Sequence, residues 1–317
     1  MTNSTRLKLI LKRTIPLVFY VLLAVFLVVY LRSIDYSRLL DAEFHVGFFA
    51  VATVLALGFR YWGAYIWVVL LRSLGAANVR LNRILIYIYA KSWLGRYIPG
   101  TAPWILGKIY FAAEQGISKN KLAVSSLLEG ALQIIVQLLF ALVLLAFDQR
   151  LDIIDGNTRL LFIIAAGGLT LFLIPAVFNF SIARIYKIIK KKAFDRDHHA
   201  TTVTIIKGLS LYTIGALISS LSLFFIAKTV YPELGYNQLF FVMGVGTLAG
   251  AVSMLAVFAP SGIGVREGIQ LALLSLIMPT EIALVITIVT RLWSVAVDLL
   301  FFALSSTLRK NKSYKNS

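Results

Sequence analysis

The sequence predicts an all-α, polytopic membrane protein of about six to eight spans, two of its helix pairs broken and re-entrant. Three observations carry that prediction. Of the 317 residues, 59% are hydrophobic and 14% charged, whereas soluble domains carry about 25% charged residues. Seven apolar runs fall at about 15–31, 46–71, 122–147, 159–179, 209–230, 238–258 and 281–306, most of them long enough for the roughly 20 helical residues a hydrocarbon core requires. Each is apolar on all sides, as a helix in lipid must be when its backbone groups bond internally. Two further apolar stretches, 84–117 and 258–278, are interrupted at their centres by Pro and Gly.

Taken in order, the first run follows Arg6, Lys8, Lys12 and Arg13, and Arg32-Ser33-Ile34-Asp35 after it offers no small-residue cleavage site. It reads as an uncleaved span that starts in the cytoplasm. Arg72, Arg80 and Arg83 follow the second run. Arg184, Lys187, Lys190, Lys191, Lys192, Arg196 and Lys207 lie between the fourth and fifth runs, and Arg309, Lys310, Lys312 and Lys315 lie in the tail. The intervening loops are poorer in cations: 148–159 holds three Asp, and 231–237 holds one Glu and no Lys or Arg. This alternation places both termini in the cytoplasm. It also accounts for the net charge of +17 without nucleic acid, which would ask for a basic soluble surface with stacking aromatics. Residues 1–308 read as one transmembrane domain and 309–317 as a basic cytoplasmic tail. The chain has no cysteine, so disulfides and thiolate metal sites are excluded.

The two interrupted stretches depart from an up-and-down pattern. In 84–117, Lys91, Arg96 and Lys108 interrupt the apolar residues, and Pro99-Gly100-Thr101-Ala102-Pro103 breaks the middle. Each flank of about 15 residues spans roughly 22 Å as helix, short for a crossing. The stretch starts on the cytoplasmic side and is expected to return there. The second, 258–278, breaks at Ala259-Pro260-Ser261-Gly262-Ile263-Gly264 and ends before Pro279. Breaks at matching places in two halves point to a transporter's midplane site and an inverted repeat; two ordinary short crossings at each break are the alternative. Pro103 suits the first turn of a helix over 103–114. Gly262 and Gly264 allow a sharp turn before a helix starting near Val265. Each such helix start exposes unpaired amide donors and a positive dipole end. Arg96 and Lys108 flank the first and Arg266 the second, so the candidate phosphate-binding set is Arg96, Pro99, Gly100, Lys108, Ser261, Gly262, Gly264, Arg266 and Glu267. Kinks in packed helices are the alternative. Adjacent helical residues do not face each other, so Glu267 is expected to pair with something other than Arg266, as a gating or structural contact.

Polar residues also recur inside the long runs. Ser125, Glu129, Gln133 and Gln137 are spaced by four, and Thr287, Arg291, Ser294 and Asp298 share a face of the last run. With Arg60 in the second run and Glu114, these give an intramembrane polar set of Arg60, Glu114, Glu129, Gln133, Arg291 and Asp298. Charges within spans point into the bundle and pair, and Glu129 with Arg291 is the expected contact; polar glue between helices is the competing reading. Gly246 and Gly250 suit close helix packing rather than a dinucleotide fingerprint, because the spacing is wrong and no strand precedes them. Asp195, Asp197, His198 and His199 lie in a basic loop without a second ligand cluster. The aromatics Tyr61, Trp62, Tyr65, Trp67, Trp93 and Trp104 read as interface and packing residues. No catalytic set stands out, and no cofactor or metal is expected.

Gly95-Arg96-Tyr97-Ile98-Pro99-Gly100 and Ala259-Pro260-Ser261-Gly262-Ile263-Gly264-Val265-Arg266-Glu267-Gly268 resemble segments of the transmembrane region of lysylphosphatidylglycerol synthases and its stand-alone, flippase-like relatives. The resemblance covers about residues 10–308. The family's second motif looks like Pro-Gly-Gly-x-Gly-x-Arg-Glu, with Ser261 here in place of the first Gly; Thr101-Ala102 departs from the glycine-rich first motif. In full-length synthases this region precedes a soluble aminoacyl-transferase domain and is associated with moving the modified lipid between leaflets. This sequence ends at Ser317, so no lysyl transfer is expected of it. The resemblance implies a multi-pass protein of a prokaryotic cytoplasmic membrane.

The leading expectation is therefore a translocase for a lipid with an anionic, phosphate headgroup, attracted by Arg96, Lys108 and Arg266. Glu114, Glu129 or Glu267 would compensate the cations so that substrate can leave. One alternative is a membrane-embedded transferase acting on a lipid-linked group, with Glu114, Glu129, Glu267 and Asp298 as the available carboxylates. Another is a non-catalytic partner of a lipid-modifying enzyme or glycosyltransferase. The expected partners are membrane lipids, such an enzyme, and further copies of the chain; nucleic acid is not among them.

Overall fold

The computed structural model describes residues 44–76, 78–98, 102–146, 148, 158–190, 200–256 and 259–310. The expected first span at 15–31, Pro99 and Gly100, Asp195, Asp197, His198 and His199, and the tail from 311 onward lie outside the described residues. Ten α-helices are present and no strand occurs among the described residues. They are α1 (Val46–Ser73), α2 (Arg83–Trp93), α3 (Ala102–Ala113), α4 (Lys119–Ala146), α5 (Thr158–Leu171), α6 (Pro175–Lys190), α7 (Thr202–Val230), α8 (Leu239–Leu255), α9 (Val265–Leu274) and α10 (Thr280–Lys310).

Five stretches, corresponding to α1, α4, α7, α8 and α10, are long and apolar enough to cross a membrane, or six with a bent pair counted as one span. Many large apolar side chains on these helices face outward, among them Val51, Val54, Val143, Leu217, Leu292 and Leu299, which suits a lipid surround. The chain is a multi-pass membrane protein. The fourth run, an apolar run over 159–179, is bent: α5 and α6 meet at 80°. Pro175 supplies the reason. It has no amide hydrogen, its ring collides with the preceding turn, and the residue before it is pushed out of helical geometry. A short turn at Phe172–Ile174 absorbs the bend, with bonds such as Leu173 N–H to the Thr170 carbonyl at 3.0 Å.

The two interrupted stretches form hairpins. In the first, Asn82 caps α2 by accepting from the Leu85 amide at 2.9 Å. The helix tightens into a 3-10 turn at Leu94–Tyr97, and α3 folds back against α2. Gly95 permits the return: a Cβ there would lie 2.9 Å from the Trp104 nitrogen. Helices of 11 and 12 residues reach about 16–18 Å at 1.5 Å per residue, little more than half a hydrocarbon core. Pro103 occupies the first turn of α3, where its missing amide hydrogen is not needed. In the second hairpin α8 ends at Leu255 and α9 packs back against it through a 3-10 turn at Pro260–Gly262. Ser261, Gly262 and Gly264 take φ of 52°, 68° and 85°, the left-handed region that glycine enters without penalty. At Gly262 a second constraint applies, since a Cβ would overlap Ser253 of α8.

Two apolar cores lie along the bundle, one gathering Ala64–Leu74 side chains of α1 with α2, α3, and the first halves of α4 and α7. The other gathers Ala52 and Ala56 with the later part of α7, α8 and the first two thirds of α10. Polar residues fall in the sequence gaps between them: Arg60 in α1, Gln137 in α4, Ser219, Ser220 and Ser222 in α7, and Asp298 in α10. The glycines of α8 make the close contacts expected of them. Gly246 faces Leu223 of α7, and Gly250 faces Gln137 of α4.

Candidate functional site

The tips of the two hairpins meet. The turn at Leu94–Tyr97 contacts the turn at Pro260–Gly262, and Arg96 Nε donates to Ser261 Oγ at 3.0 Å. Arg291 of α10 holds the same residue from the other side, its Nη1 donating to the Ser261 carbonyl at 3.2 Å. Both hydrogen bonds fall on the one non-glycine described residue with positive φ. A left-handed residue with a side chain costs roughly 1–2 kcal/mol, an amount that two charged donors can offset.

Asp298 is fully buried and gathers the groups behind the tips. Arg60 Nε donates to Oδ1 at 2.6 Å, the Tyr97 hydroxyl donates to Oδ2 at 2.6 Å, and Arg96 Nη1 lies 3.9 Å from Oδ2. The guanidinium carbons of Arg60 and Arg96 stand 5.3 and 4.6 Å from the Trp93 ring centroid, within cation–π range. Arg60 sits at the middle of the 28-residue α1, so the sequence gap between the two apolar cores is where its charge is accommodated.

Beside these groups lies a cavity of about 390 Å³. Arg60, Arg96 and Arg266 line it, with Trp93 and Trp104, Gln133 and Gln137, and a set of serines from α4, α7, α8 and the second tip. Among the described residues, none of its lining side chains is a carboxylate. Arg266 has no ion-pair or hydrogen-bond partner among the described residues. Glu267, its neighbour, turns away: its Oε1 is 3.5 Å from Arg291 Nη1 and its Oε2 accepts from the Gly264 amide at 2.7 Å. The start of α9, expected to offer bare amides to an anion, thus already carries an anion from its own first turn.

Several expected placements are revised. Lys108 does not line the cavity. It is buried, donates to Glu129 Oε2, and stands 4.0 Å from the Trp104 ring centroid. Glu129 accepts a second bond from the Tyr89 hydroxyl at 3.0 Å, so it joins α4 to the first hairpin and does not meet Arg291, whose carboxylate partner is Glu267. Residues spaced by four drift about 40° around a helix at each step, and the stripe on α4 divides accordingly. Ser125 bonds back to the Leu122 carbonyl at 3.0 Å, Glu129 serves Lys108, and Gln133 and Gln137 reach the cavity together with Ser126 and Gly130. Glu114 lies exposed in the turn after α3, apart from the cluster. Ser261, Gly262 and Arg266 do line the cavity, whereas Gly264 and Glu267 support it from behind. Trp93, Tyr97, Trp104 and Ser126 join the site without having been singled out for it. Trp93 and Tyr97 stand within a turn of Arg96 on each side, the one signal the sequence offered.

The family model for the lysylphosphatidylglycerol synthase TM region matches residues 14–301. The chain belongs to this family. Both hairpins and every residue of the site lie inside the matched range, as does Ser261, where the resembling motif has Gly. Membership gives the lysylphosphatidylglycerol synthase TM region member described here a membrane, lipid-related setting. Comparison with curated proteins and with solved structures found no match.

Proposed function

We propose that this family member moves a lipid with an anionic, phosphate-bearing headgroup from one leaflet to the other. One observation carries the reading: beside two meeting hairpin tips, a largely apolar cavity is lined by Arg60, Arg96 and Arg266 and, among the described residues, by no carboxylate. Guanidinium is suited to phosphate because its planar fork makes two parallel bonds to one phosphoryl group. Short helices such as α2, α3 and α9 are tolerated at depth in a bilayer where they line a cavity, and a site near the midplane is what interrupted helix pairs suggest in transporters. The headgroup would pass through the cavity while its acyl chains stay in lipid. The family's lipid-related setting supports the same reading.

The test is reconstitution of the purified chain in vesicles with fluorescent or spin-labelled lipids. Accelerated leaflet exchange of an anionic phospholipid or a polyprenyl phosphate, lost on Arg96→Gln, is the expected result. Unchanged exchange for every lipid tried would refute the proposal.

A further inference from the structure

Among the described residues the charges around the cavity do not balance. Four guanidiniums, those of Arg60, Arg96, Arg266 and Arg291, gather at or behind the two tips with two carboxylates, Asp298 and Glu267. Arg60 takes the close contact with Asp298, and Arg291 takes Glu267. Arg96 has only a 3.9 Å approach to a carboxylate already bonded to Arg60 and Tyr97, and Arg266 has none among the described residues. Lys108 and Glu129 neutralise each other elsewhere. The surplus of two positive charges belongs to the two cavity-lining arginines at the hairpin tips. A surplus of this kind inside a bilayer is unfavourable unless an anion answers it.

On that charge count, and resting on the proposed headgroup site, we infer that the cavity selects a terminal phosphoryl group, a phosphomonoester or the end of a diphosphate, over a phosphodiester. A monoester carries about −1.5 to −2 charge near neutral pH and has three unesterified oxygens, so two guanidinium forks can engage it together. A phosphodiester such as the phosphatidylglycerol headgroup has one charge and two such oxygens, enough for one fork. A zwitterionic headgroup adds a cation where two are already unanswered. The second fork therefore distinguishes the classes, and Arg266 is the residue that supplies it from the second tip.

The experiment compares matched acyl chains in one vesicle preparation: phosphatidate and a polyprenyl monophosphate against phosphatidylglycerol, with phosphatidylcholine as background. The wild-type chain is expected to exchange the two monoesters at least about tenfold faster than phosphatidylglycerol, a difference of one bidentate contact of about 1.4 kcal/mol or more. Arg266→Gln should bring the ratio below about threefold, and Arg266→Lys, which keeps charge but not the fork, should fall between them. Equal exchange of phosphatidylglycerol and phosphatidate would overturn the inference while leaving lipid translocation standing. No exchange of any lipid would overturn translocation, and together with no response to inorganic phosphate it would overturn the inference as well. A soluble arm separates the source of the phosphoryl group. Inorganic phosphate that quenches tryptophan fluorescence in the wild-type chain but not in Arg266→Gln, without any lipid exchange, would keep the terminal-phosphoryl site and remove the lipid. If Arg266→Gln does not fold, the Arg266→Lys ratio alone decides, since an unchanged tenfold preference there refutes the role of the fork.

Discussion

The Lys108–Glu129 pair makes a quantitative prediction about which cations belong to the protein and which to its ligand. Both side chains are 1% exposed and each is the other's counter-charge. Replacing Glu129 by Leu leaves the Lys108 ammonium among Trp104, Tyr89 and Trp67, whose rings lie 4.0, 5.3 and 5.8 Å away. Ring faces soften an isolated charge by about 0.5–2 kcal/mol, whereas breaking a buried pair from one side costs about 3–5 kcal/mol. The net loss is thus about 1–4.5 kcal/mol, and at roughly 2 °C per kcal/mol for a chain of this size the melting temperature falls by about 2–9 °C. Adding Lys108→Met removes the stranded charge. Apolar replacement of a whole buried pair is commonly neutral or stabilising, so the double variant should recover most of the loss. The measurement is thermal unfolding in one detergent or nanodisc preparation, with headgroup exchange assayed beside it. A double variant as unstable as Glu129→Leu would refute the pairing argument. Recovered stability with abolished exchange would refute the separation of Lys108 from the substrate path.

Three further outcomes follow from the hairpin tips. Ser261→Ala keeps the left-handed backbone but removes the Arg96 acceptor, and should cost about 1.5–3 kcal/mol, the value of a hydrogen bond to a charged group. Ser261→Gly loses the same bond yet regains roughly 1–2 kcal/mol of backbone strain, so it should melt above Ser261→Ala; the reverse order would remove the strain argument. Asp298→Asn leaves Arg60 and Arg96 without a full counter-charge. It should lower the melting temperature, and an anionic phospholipid should restore more of it than it does for the wild type. Finally, the chain has no cysteine, so a single cysteine at Ser118, exposed after α3, should label only from the cytoplasmic side if the first hairpin enters and returns there.

The fold was legible to the extent that hydropathy and helix breakers speak for themselves. Long apolar runs located α1, α4, α7, α8 and α10, and the Pro and Gly of the two interruptions located the hairpins. Pro175 stood within the fourth run and was passed over, because an apolar window averages across a proline while the backbone cannot. Within the site, periodicity named the inward faces of α4 and α10 correctly but did not name their partners. Glu129 and Arg291 both point inward, yet each has a nearer counter-charge on a hairpin, and the rotation of one helix against another is fixed by packing that no single helix encodes. Lys108 illustrates the same gap. Its sequence neighbourhood matches that of Arg96, and only the crossing of α3 over α4 sends it to Glu129.

On the proposed translocation the site must release what it binds, and the placement of the two carboxylates bears on this. A guanidinium and an anion 4 Å apart at an effective dielectric of 20 attract by about 4 kcal/mol, and every 1.4 kcal/mol is a factor of ten in affinity. Three unpaired arginines around one phosphoryl group in the cavity would hold it beyond any useful dwell time, even after the group's own desolvation is subtracted. Asp298 withdraws Arg60 from that sum, Ser261 engages Arg96 through its Nε, and Glu267 holds Arg291 outside the cavity. On the proposed function, an arriving headgroup would exchange one hydrogen-bond acceptor of Arg96 for another, so that most of the gain on entry would come from Arg266 alone. On the same proposal, once Arg96 had turned to phosphate, Ser261 would keep its bond to Arg291 of α10 and lose its hydrogen bond to the first hairpin.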